Sequence, residues 1–113
     1  MLVNVKEVAA LDMVFDRAAR LFRILATANR LKIVHALCEG ELNVTQLLAR
    51  IDSTQSNMSQ QLNILYRVGI LARRRDGVKI YYRIADQLVA NLCRAVCIEV
   101  HGKLMVNELK EAA

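Results

Sequence analysis

The chain has 113 residues, of which 55% are hydrophobic and 24% charged, and its net charge is +5. That length fits one domain, and the early charges Lys6, Glu7, Asp12, Asp16, Arg17 and Arg20 leave no apolar run for a signal peptide or a membrane span, so a cytoplasmic protein is expected. Arg67, Arg73, Arg74, Arg75, Lys79 and Arg83, against Asp76 alone, carry the whole of the net charge, which favours a local contact with a polyanion.

Residues 5–26 form the first predicted helix, with Leu11, Val14, Phe15, Ala18, Leu21, Phe22 and Leu25 at three- and four-residue steps, a stripe that requires a partner. Thr27 or Asn29 caps a second helix running to about Cys38, where Glu39-Gly40-Glu41 ends it with Gly40 as a left-handed cap. Asn43, with Gln46 three residues on, opens a short third helix from Val44 to about Ile51. Ser53 or Thr54 opens the fourth, and Gly69 ends it. Ile70–Arg75 and Val78–Ile84 flank Asp76-Gly77, a strong two-residue hairpin signal that would pair Arg75 with Val78, Arg74 with Lys79 and Arg73 with Ile80. Asp86 opens a last helix over 86–110, with Leu88, Val89, Leu92, Val96, Val100 and Leu104 along one side.

Met58, Leu62 and Leu65 make the inward face of the fourth helix, which leaves Gln55, Ser56, Ser59, Gln60 and Asn63 on other faces. Such side chains hydrogen-bond both phosphates and base edges, and glutamine or asparagine engages adenine bidentately. Gln55, Ser56 and Ser59 are expected at bases, Thr54 and Asn57 at phosphates, and Arg74 and Lys79 near the hairpin tip at phosphates or a minor groove; Arg73 and Arg75 alternate to the other side. A polar helix followed by a basic hairpin is the layout of a winged helix-turn-helix reader of double-stranded DNA. The predicted fold is therefore mainly α with a two-stranded β-wing, in the order ααααββα. It is one winged-helix unit over residues 1–113, whose first and last helices pair two copies.

Four segments carry a family resemblance: Ala28-Asn29-Arg30-Leu31-Lys32-Ile33, Glu39-Gly40-Glu41-Leu42-Asn43-Val44, Gln55-Ser56-Asn57-Met58-Ser59-Gln60-Gln61-Leu62, and Arg74-Arg75-Asp76-Gly77-Val78-Lys79-Ile80-Tyr81-Tyr82. Over about residues 15–100 the chain resembles the ArsR/SmtB family of dimeric winged-helix repressors. The resemblance implies a homodimer on an inverted-repeat operator, repression, and release when an inducer meets a sensor site.

Metal-sensing members of that family carry Cys-Val-Cys on the third helix, where this chain has Asn43, Val44 and Thr45. The family's zinc positions fall here on Asp86, Leu88, Glu99 and Gly102, so two of four ligands are missing. Leu92-Cys93-Arg94-Ala95-Val96-Cys97 resembles the sulfur-oxidation repressors, whose thiol switch joins a second-helix cysteine to a last-helix one; their second-helix position falls on His35, and Cys38 lies one turn later.

Three readings of Cys38, Cys93 and Cys97 stand open. They form a thiol switch for reactive sulfur, they bind a soft metal or metalloid with or without His101, or they are apolar packing. The absence of export signals favours reduced cysteines. No cofactor is expected, and an enzyme is disfavoured: the glycines are only Gly40, Gly69, Gly77 and Gly102, and the histidines only His35 and His101, none in a catalytic motif. A winged helix that binds protein instead of DNA is the remaining rival.

Overall fold

In the computed structural model, which describes residues 4–112, the element order is α1 (Val5–Leu25), α2 (Ala28–Leu37), β1 (Leu42–Asn43), α3 (Val44–Leu48), α4 (Gln55–Arg67), β2 (Leu71–Asp76), β3 (Lys79–Ile84) and α5 (Gln87–Ala112). The expected helices are all present, and side-chain caps set their starts. Thr27 Oγ1 accepts from the Arg30 amide at 3.2 Å and Thr54 Oγ1 from the Asn57 amide at 3.0 Å. Asn43 and Gln46 form a reciprocal capping box at 2.9 Å in both directions. α4 ends in a Schellman turn: the Ile70 amide reaches the Leu65 carbonyl, the Gly69 amide reaches that of Tyr66, and Gly69 takes φ +84°.

The core lies where α2, α3, α4, the base of the hairpin and the start of α5 meet. Ile33, Val34, Leu47, Met58, Leu62, Leu65, Ile70, Leu71 and Val89 are fully buried there. α1 takes little part in it, burying only Leu25 and leaving Leu11, Val14, Phe15 and Phe22 about half exposed or more. The expected stripe along one side of α5 divides between core and surface. Val89, Ala90 and Cys93 are buried, whereas Leu88, Val96, Val100 and Leu104 are exposed. Both long helices project from the core and flatten the chain to 55 × 54 × 21 Å.

The hairpin departs from expectation in two ways. First, β1 adds a third strand, pairing Leu42 with Tyr82 and Asn43 with Tyr81, so the sheet order is β1-β3-β2. Second, the loop is Gly77-Val78 instead of Asp76-Gly77: Asp76 pairs with Lys79, Arg75 with Ile80, Arg74 with Tyr81, Arg73 with Tyr82, Ala72 with Arg83 and Leu71 with Ile84. A turn centred on Asp76-Gly77 would require positive φ at Asp76. The chain instead places Gly77, at φ +63°, in the first central position, where a type II′ turn demands it. The register therefore moves by two residues. Because strand periodicity is two, each side chain keeps its side of the sheet while its cross-strand neighbour changes.

Candidate nucleic-acid interface and thiol cluster

α4 has three distinct edges. Met58, Leu62 and Leu65 point into the core. Gln55, Ser59, Gln60 and Asn63 line an open groove of about 590 Å³, whose other wall is the hairpin residues Arg73, Lys79, Ile80 and Tyr82 and whose end is the α3 start at Asn43, Val44 and Thr45. Ser56 is exposed at the first turn of the helix. The third edge, Asn57 and Gln61, turns away from the groove and bonds within the protein: Asn57 Nδ2 donates to Ser53 Oγ at 2.9 Å, and Gln61 Nε2 donates to Asn57 Oδ1 at 3.4 Å. The structure thus gathers Gln55, Ser59, Gln60, Asn63 and Lys79 around one groove, leaves Ser56 open to solvent, and holds Thr54 and Asn57 in caps and local bonds.

The wing arginines divide as strand alternation predicts, but with a different allocation of partners. Arg74, expected at the tip as a phosphate ligand, is turned toward the start of β1 and pairs with Glu41, its Nε lying 3.1 and 3.0 Å from the two carboxylate oxygens and its Nη2 also bonded to Oε1. That hydrogen bonding holds the Glu41 carboxyl below the usual carboxylate range and raises Arg74 further above neutrality. The Arg74 guanidinium also lies 4.7 Å from the Tyr81 ring centroid. Arg73 is the arginine on the α4 side, 3.9 Å from the centroid of the Tyr66 ring and lining the groove. Sequence alternation put Arg73 and Arg74 on opposite sides, but the structure reverses the expected assignment: Arg73, expected away from the helix-facing side, lines the groove, and Arg74 does not. Alternation gave no sign that Glu41, thirty-three residues away, would occupy Arg74.

The cysteines lie outside the groove. Cys38 closes α2 and Cys93 and Cys97 sit one turn apart on α5, and all three line one small cavity with Leu31, Val34, His35, Ala90 and Arg94. All three are free, Cys93 buried and the others partly so. Burial raises the Cys93 thiol above its ordinary value, and the nearby Cys97 and Cys38 add to the rise. An adjoining cleft of about 420 Å³ is lined by Leu31, Lys32, His35, Arg94, Cys97, Ile98 and His101. Cys97 is the one of the three thiols that lines both spaces, and Cys93 is the most buried of them. The step from His35 to Cys38 along α2 therefore does not separate the thiols, because α2 and α5 pack directly together. Among the described residues no three His, Cys, Asp or Glu side chains are arranged to hold a metal ion, and the set Cys38, Cys93, Cys97 and His101 does not form such a group. No helix among them is long and apolar enough to cross a membrane.

Known proteins resemble this chain in sequence and fold. The family model for bacterial regulatory proteins of the arsR family matches residues 27–73, from the cap of α2 into β2. The biofilm growth-associated repressor of Agrobacterium fabrum is 36% identical over 87 residues, which cover 77% of this chain and 74% of that protein. A transcriptional repressor SmtB homolog of Synechocystis is 39% identical over 90 residues, covering 80% of this chain and 67% of that protein. Among solved structures, the homodimeric winged helix-turn-helix DNA-binding domain of a possible ArsR-family regulator from Mycobacterium bovis superposes with a TM-score of 0.70 at 32% identity, covering 89% of this chain and 91% of that one.

Proposed function

The chain belongs to the ArsR family of bacterial regulatory proteins and is a DNA-binding transcriptional repressor, and on that footing we propose that it is a homodimer released from its operator by reactive sulfur acting on Cys38, Cys93 and Cys97. The observation that carries the sensor reading is the meeting of three thiols from two helices in one cavity, with Cys97 opening onto the cleft.

Two projecting helices with apolar surface, α1 and α5, supply the pairing surface in this reading, since so much exposed apolar area is costly in a free monomer. A dimer presents two copies of α4 to half-sites ~34 Å apart, with Gln55, Ser56 and Ser59 at base edges and Lys79 and Arg73 along the backbone.

The switching chemistry balances with an organic persulfide as the oxidant. A cysteine thiolate attacks the outer sulfur, the sulfur–sulfur bond breaks, and the organic thiol leaves, so the cysteine becomes a persulfide. A second thiolate attacks the protein-bound inner sulfur and expels hydrosulfide. One persulfide and two thiols thus give a disulfide, one organic thiol and one hydrogen sulfide. In this reading Cys97, which lines the open cleft, reacts first, and Cys38 or Cys93 resolves. The bond ties α2 to α5 or stiffens α5, and a coupling of ~1–3 kcal/mol is enough to shift operator affinity 5–150-fold.

Fluorescence anisotropy on the protein's own upstream DNA tests this, with persulfide, arsenite and zinc added separately to reduced protein. Release by persulfide alone, reversed by dithiothreitol and lost in the Cys93→Ser, Cys97→Ser double variant with operator binding intact, is the expected result. Release by arsenite or zinc instead would make the thiols ligands of a soft ion. Unchanged persulfide induction in the double variant would sink the thiol switch.

A further inference from the structure

The edge of α4 that faces away from the groove carries an unbroken run of hydrogen bonds. Arg30, in the first turn of α2, donates from Nη1 to the Ile24 carbonyl in the last turn of α1 at 2.9 Å and from Nε to Gln61 Oε1 at 2.7 Å. Gln61 Nε2 continues to Asn57 Oδ1 at 3.4 Å, and Asn57 Nδ2 to Ser53 Oγ at 2.9 Å. One guanidinium therefore joins α1 to the middle of α4, and α4 passes the link to the residue before its own cap. The Arg30 backbone is itself fixed by the Thr27 cap.

We propose that Arg30 and Gln61 are positioning residues for operator recognition, holding the base-reading end of α4 in register with α1 and α2. The apolar contacts between α2 and α4 set the distance between the helices, but burial is non-directional and tolerates a small slide or roll. Hydrogen bonds do not, because they weaken steeply with angle. The Arg30–Gln61 and Asn57–Ser53 bonds are partly buried, which limits competition from water. Ser56 and Ser59 flank Asn57 on the same turns, so a roll of α4 about its axis moves them relative to base edges. α2 also ends at Cys38, so this relay is the polar route by which a displacement of the thiol-bearing helix reaches the reading helix. The inference rests on the operator-binding reading above.

The test uses the reduced full chain and needs no inducer. Binding to the operator and to a scrambled duplex of equal length is measured for wild type, Arg30→Lys, Gln61→Met and the double variant. Both substitutions keep the formal charge, so phosphate attraction is preserved. Lysine's single nitrogen does not reproduce the two-pronged bridge, and methionine fills the volume of glutamine without its bonds. Each single variant is expected to lose roughly tenfold in operator affinity, the scale of a misplaced base contact, while scrambled-duplex affinity and melting temperature stay at the wild-type values. The double variant should lose no more than either single one, because both cut the same link. Unchanged operator affinity, additive losses, or equal losses on both duplexes with a lowered melting temperature would each overturn the proposal. A wild type with no preference for the operator would instead bring down the operator-binding reading itself.

Discussion

The guanidinium of Arg73 lies over the ring of Tyr66, 3.9 Å from its centroid, and so ties β2 to the last turn of α4. β2 and α4 are thereby joined on the groove side, while the Arg74–Glu41 pair anchors the opposite side of the sheet next to β1. The wing is held from both faces, and its tip at Gly77 and Val78 is left free.

Tyr66→Ala removes the platform under Arg73 without removing a charge. An exposed cation–π contact is a weak one. Operator affinity is expected to fall by a few-fold, with a matching small drop in thermal stability, and Tyr66→Phe is expected to restore both. Titration of the three proteins at one salt concentration checks this.

Glu41→Gln acts in the opposite direction. It breaks the ion pair, frees Arg74 from its bidentate partner and removes a negative charge beside the interface. DNA binding should become tighter and less sequence-selective, and the log–log salt slope should steepen by ~0.9 if Arg74 gains one phosphate. A salt titration of affinity from low to moderate ionic strength reads that slope directly. An unchanged slope would mean that Arg74 stays off the DNA even when released.

Gln55→Ala and Ser59→Ala test the groove. Each removes a polar group from the edge of α4 that looks toward the wing. A lost base contact costs ~1–3 kcal/mol at the specific site and little elsewhere. The expected signature is weaker operator binding with unchanged affinity for unrelated DNA; parallel losses on both would assign these residues to the backbone.

Cys93 supplies the pH prediction. Its proton is held more tightly in the folded chain than in an exposed thiol, because burial disfavours the thiolate and two neighbouring thiols oppose a second charge. Alkylation of Cys93 by iodoacetamide should be slow at neutral pH and should rise roughly tenfold per pH unit until its elevated pKa is passed. The sign for stability follows from the same shift: the contribution is intact below the ordinary thiol pKa and is lost as pH rises through the folded value. Site-resolved mass spectrometry across the alkaline range, in the native and the denatured chain, measures both.

Local features made the element order legible in the sequence. Asn43 as a cap, Gly69 as a terminator, and Met58, Leu62 and Leu65 at helical spacing all refer to neighbours within a turn or two, and each holds in the structure, which also chooses Thr27 over Asn29 and Thr54 over Ser53 as caps. The uncharged polar surface of α4 and the run of wing cations were equally visible, because composition and period suffice to define them. Tertiary structure decided which groups meet across long separations. It chose Gly77-Val78 as the loop because only glycine sits comfortably at that positive φ, it brought β1 alongside β3, and it gave Arg74 to Glu41 and Arg73 to Tyr66. It also packed α2 on α5 so that Cys38 joins Cys93 and Cys97, and bonded Gln61 to Arg30 and Asn57 to Ser53, away from the groove. Periodicity specifies that a side chain shares a face with its neighbours three or four positions away; which other element that face meets is fixed by how the apolar faces pack together, and packing is a property of the whole chain.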